Sequence, residues 1–87
     1  MNQFMVVGTF RQDTDMDEVT AVVPEEQAQV RVLEGEDVLS AVRVSMARDK
    51  VFLEVSAVDA AGAEATVRRL PMAKWWDLEV YQVHAPV

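Results

Sequence analysis

The sequence predicts one α+β domain in the order β-α-β-β-α-β, and three observations carry that expectation. Four segments read as strands, the first of them rich in Phe, Met, Val and Thr, and two segments place apolar residues at helical spacing. The two middle strands are separated by so little chain that they must form a hairpin. The chain has 87 residues, which fits a single domain over 1–87. A chain this short buries a modest share of its surface, and with no cysteine it has no disulfide to compensate. Self-association is the remaining common route to further burial, so a homodimer or larger homo-oligomer is expected.

Residues 3–10 form the first predicted strand. After a polar break, Asp15 can cap a helix, with Glu18 completing a capping-box pattern. Met16, Val19, Val23, Val30 and Leu33 then recur at helical spacing, and the position missing from this stripe is Glu26. Pro24 interrupts the segment, so a kink or restart is expected there, and Gly35 is expected to end the helix. Residues 38–47 and 50–58 read as strands joined by a two-residue turn at Arg48-Asp49. That turn would set Val42 opposite Val55, Val44 opposite Leu53 and Arg43 opposite Glu54. One face would carry Val38, Val42, Val44, Met46, Val51, Leu53, Val55 and Ala57. The other would carry Leu39, Ala41, Arg43, Ser45, Phe52, Glu54, Ser56 and Val58, a mixed face suited to pairing with a second copy. Asp59 caps the second helix, with Ala60, Ala63, Val67 and Leu70 inward, and Pro71 ends it. A loop holding Lys74, Trp75 and Trp76 leads into a last strand over 77–83. This order is the ferredoxin-like arrangement: a four-stranded antiparallel sheet with two helices on one face.

The charge is −7, from 15 acidic and 8 basic residues, with no basic cluster, which argues against nucleic acid as a partner. No apolar run approaches the roughly 18 residues of a membrane helix, and residues 1–7 lack the basic start of a signal peptide. A cytoplasmic protein that does not engage membranes is expected.

The stretch Leu70-Pro71-Met72-Ala73-Lys74-Trp75-Trp76-Asp77-Leu78-Glu79-Val80 resembles the muconolactone isomerase family, whose members carry Leu-Pro, a short loop with an aromatic, then Asp-Ile/Leu-Glu-Val. Asp15-Met16-Asp17 and Arg43 followed by an aliphatic residue also match. The resemblance implies a dimeric α/β barrel and proton transfer on a small organic acid, without metal or cofactor. Related barrels include cofactor-free monooxygenases and cyclases of polyketide pathways. Where the family shows an aromatic- and histidine-rich stretch around the arginine, this chain has Ala41-Val42-Arg43-Val44-Ser45-Met46-Ala47.

Glu26 is the candidate catalytic residue. A carboxylate against an apolar wall suits the base that takes a proton at one carbon and returns it at another. If Pro24 resets the helical phase, Glu26 instead faces solvent. Arg43 can clamp a substrate carboxylate through its planar fork, or pair across the strands with Glu54. Trp75 and Trp76 can line a pocket mouth for an aromatic ligand, or one can pack in the core or at an interface while its neighbour points away. His84, beside Ala85-Pro86-Val87, reads as a surface residue, and no second His and no Cys can join it on a metal. Ser40, Ser45 and Ser56 lack a His-Asp relay, and no phosphate loop is present. The reading is a small cofactor-independent isomerase- or cyclase-like enzyme. The alternative is a non-catalytic ligand-binding or self-assembling protein of the same barrel type.

Overall fold

Alternation of apolar and polar residues dictates the sheet. A computed structural model describes residues 1–84. Strand β1 (Asn2–Phe10) sends Phe4, Val6 and Gly8 to one side, all buried, while Met5, Val7 and Thr9 on the other side stay partly covered. β1 is central. It pairs antiparallel with β3 (Lys50–Ala57), Phe4 opposite Val55 and Val6 opposite Leu53, and with β4 (Trp76–Val83), Phe10 opposite Trp76. β2 (Leu39–Val44) adds antiparallel to β3, giving the order β2-β3-β1-β4.

The first helical segment is broken, as Pro24 demands. α1 (Met16–Ala21) ends at Val22, and α2 (Val23–Gly35) begins with Pro24 in its first turn, where a missing N–H costs nothing. Asp15 caps α1 by accepting the N–H of Asp17 at 2.9 Å. The apolar stripe survives the break: Val19 and Leu33 are buried, and Val23, Glu26 and Val30 between them are partly covered. Met16 departs from it and is 49 % exposed. α3 (Ala60–Val67), capped by Asp59 on the Gly62 N–H, ends at Arg68, ahead of Pro71. Pro71 instead opens a 3-10 helix (Pro71–Trp75) where a loop is expected. Leu33 from α2 and Ala63 and Val67 from α3 join Phe4, Val6, Leu53, Val55 and Trp76 in one core on a single sheet face.

Three expectations about the hairpin are corrected. The link between β2 and β3 is longer than the two-residue turn, because the Ser45 side chain rebuilds it. Ser45 Oγ donates to Asp49 Oδ1 at 2.8 Å and accepts the N–H groups of Asp49 and Lys50, while Arg48 N–H closes on the Ser45 carbonyl at 2.8 Å. The register therefore moves by two: Val42 lies opposite Leu53, Val44 opposite Val51 and Arg43 opposite Phe52, so Arg43 has no cross-strand partner in Glu54. A bulge between Leu39 and Ala41 then turns Leu39 from the mixed face into the core, where it is 4 % exposed. The helix end differs too. Gly35 is still helical, and the left-handed residue is Asp37 at φ 61°, with Val38 N–H reaching the Leu33 carbonyl. His84 is exposed, and its expected lack of shelter from 85–87 lies outside the described residues.

Candidate functional site

The inner stripe of α2 is too slight to seal it to the sheet. Leu33 anchors its C-terminal end, but the earlier inward positions are Val23, Glu26 and Val30. That half of α2 leaves β2 poorly covered, and Val44 is 57 % exposed. A groove of about 520 Å³ opens there, walled by α2, by Val42, Val44 and Val51 of the sheet, and by Met72 and Trp76. Its size suits a small organic ligand.

Glu26 belongs to this wall, as the unbroken stripe requires. Its Oε1 accepts the backbone N–H of Met72 at 2.9 Å. Burial among apolar neighbours raises its pKa, and the Met72 hydrogen bond offsets part of that rise. The raised pKa makes its carboxylate a stronger base than a solvated one, held by one oxygen beside an apolar space. Such a carboxyl can exchange a proton with a bound carbon acid.

Trp76 is 1 % exposed and packs where β1 has no side chain. A Cβ on Gly8 would stand 2.8 Å from Trp76 Cδ2, so the indole occupies the room that glycine leaves. Phe10 meets it edge-on at 5.9 Å. The buried Trp76 Nε1 has no hydrogen-bond partner among the described residues. Trp75 does not line the groove. It is partly buried against the core, with Lys74 Nζ 4.6 Å from its ring centre. Arg11 fixes this corner by donating to the carbonyls of Lys74 and Trp76.

Arg43 lies on the opposite sheet face from Glu26. It is exposed, and its guanidinium donates to the Val42 carbonyl at 2.9 Å. Within one chain the two residues do not converge. No family model matches the chain, and no curated protein matches it. No helix among the described residues is long and apolar enough to cross a membrane.

Two arginines that were not site candidates, Arg31 and the turn residue Arg48, do reach this side of the sheet. Arg31 lines the groove with Gln27 and Glu34, and this set was legible as an i, i+4 and i+3 pattern beside Val30. Arg48 lines a second groove of about 610 Å³, which holds Phe10, Met16, Val19, Thr20, Ser45 and Met46. Both grooves share Val23, Val44, Val51 and Met72, and so form one trough. Arg48 sits at φ 62°, a conformation costing a side-chain-bearing residue roughly 1–2 kcal/mol.

Proposed function

We propose that the chain is a cofactor-independent isomerase- or cyclase-type enzyme that moves a proton within a small organic acid or polyketide-type compound, with Glu26 as the base. One observation carries this reading: a carboxyl whose pKa is raised by burial stands in the wall of an apolar groove sized for such a ligand. Trp76 supports it as the aromatic part of that wall. The resemblance of residues 70–80 to the muconolactone isomerase family points to the same chemistry. The strand order β2-β3-β1-β4 supports a ferredoxin-like domain of the dimeric α/β-barrel kind, working as a cytoplasmic homodimer.

The test is exchange. Unsaturated lactone acids incubated with the protein in D₂O should gain deuterium at the carbon next to the carbonyl, as followed by NMR. Glu26→Gln should abolish that gain while leaving the fold intact. Equal exchange by both proteins would sink the assignment. The second reading, a ligand-binding protein without catalysis, is favoured by the placement of Arg43 away from Glu26. It predicts saturable binding of the same acids with no exchange above buffer.

A further inference from the structure

The trough is longer than a small lactone acid requires, and its two ends differ in charge. From Val23 to Arg31 along α2 it runs about 12 Å at the helical rise of ~1.5 Å per residue. The part near Glu26 carries Glu26, Arg31 and Glu34, two acids to one base. The part beyond Val23 and Met72 carries a single ionisable residue, Arg48, among Phe10, Met16, Val19 and Met46. Arg48 has no ion pair or side-chain hydrogen bond among the described residues. The carboxylate next to it in sequence, Asp49, is taken by the Ser45 hydroxyl and lies 3.9 Å from Lys50 Nζ. In a chain of charge −7, an exposed guanidinium without a partner among the described residues therefore lines the apolar end of the trough, at a backbone position that disfavours any side chain.

We propose that the trough takes an elongated apolar monoanion, with its anionic group on Arg48 and its body running past Val23 and Met72 to Glu26. This rests on the reading of the Glu26 groove as the functional site and names the class of molecule it receives. The planar fork of Arg48 suits a carboxylate or sulfonate, which it can hold by two parallel hydrogen bonds. Met16 and Met46, the second fully exposed, are flexible side chains at the mouth that can fold onto an apolar chain. At the other end Arg31 shares the groove lining with the carboxyl groups of Glu26 and Glu34, so the reverse orientation would bring the anion beside acidic side chains.

The probes are decanoate, hexanoate and decan-1-ol, titrated into the protein while the methyl signals of Met16 and Met46 are followed by NMR. Decanoate should bind about tenfold tighter than decan-1-ol, the size expected of one charge-assisted contact. Hexanoate should bind more weakly than decanoate, having less apolar body to bury. Arg48→Gln keeps an unbranched side chain at the same backbone angle, and it should erase the preference for decanoate over the alcohol. Arg31→Gln should leave that preference intact. Equal affinity for acid and alcohol, no binding of either, or loss of the preference in Arg31→Gln or Arg43→Gln instead, would overturn the proposal. Failure of the catalytic reading looks different: Glu26→Gln would still bind decanoate through Arg48, and no lactone acid would exchange deuterium on the wild-type protein.

Discussion

A Cβ at Gly8 would meet three indole atoms of Trp76 at 3.0 Å or less, and the indole is itself pinned by Phe10. Gly8→Ala must therefore push a packed ring toward the groove. The expected cost is about 1–3 kcal/mol in urea unfolding, with a narrower groove as the second consequence. Glu26 makes the opposite kind of prediction. Its folded pKa lies above its unfolded value, so the folded state binds the proton more tightly. Stability should rise as pH falls through the folded value, and the rise should stop below the ordinary carboxylate value of 4.5. Glu26→Gln mimics the protonated form and still accepts the Met72 N–H. It should be more stable than wild type at neutral pH and flat across that window; a wild type equally flat would show that Glu26 is solvated. Arg48→Gly should stabilise the fold by about 1 kcal/mol in thermal melts, because glycine adopts φ 62° without strain. The chain shows Glu26 as the gap in an apolar stripe, but only the fold decides that the stripe keeps its phase over Pro24 and puts Glu26 in the groove wall. Arg31 carries only the signal of its helical spacing from Gln27 and Glu34, and Arg48 carries none, since it resembles any solvated surface charge until a groove forms beside it.

At the scale of elements, the local signals that held were those with a backbone mechanism. Asp15 and Asp59 cap the helices they precede, and Pro24 divides α1 from α2. The hairpin departs from a two-residue turn because a hydroxyl, not a turn dipeptide, closes it. Ser45 bonds three groups of the loop, and its hydroxyl holds the Asp49 carboxyl below the usual carboxylate range. Leu39 escaped for a similar reason. Beside it, Ser40 Oγ lies 2.6 Å from Glu54 Oε1 and 3.3 Å from the Glu54 carbonyl, accommodating an extra residue that alternation alone does not reveal. At the end of α2, Gly35 attracted the role that Asp37 performs. Gly35→Ala settles which residue turns the chain. A Cβ there meets nothing within 4 Å, so alanine should add about 0.5–1 kcal/mol to stability. A loss of stability would mean that Gly35, rather than Asp37, needs glycine. Past the turn, the Glu36 carboxylate receives both arms of the Arg69 guanidinium at 2.7 and 2.8 Å, tying the end of α2 to the end of α3.

In the whole molecule, the helices leave one sheet face without a layer. Met5, Val7, Ala41 and Phe52 on that face are partly covered, and Tyr81 at its β4 side is 51 % exposed. Patches of this kind mark interfaces. Light scattering at micromolar concentration should give at least twice the chain mass of 9.7 kDa, and Phe52→Glu should reduce it to one chain. A wild-type mass of 9.7 kDa would refute pairing through this face. The order β2-β3-β1-β4 has another consequence, for the protein while it is being made. β1 is the central strand, yet it is synthesised before either of its neighbours. On the ribosome its run Phe4-Met5-Val6-Val7 must wait, unpaired on both edges, until β3 and then β4 emerge. Such a segment invites aggregation of the nascent chain. The pairing of Gln3 with Val83 sets the start of β1 beside the end of β4, so a short linker there would permit a circular permutant opened between β1 and α1. In that permutant β1 is translated last, onto neighbours already in place, and a larger fraction of the product should remain in the supernatant after rapid expression.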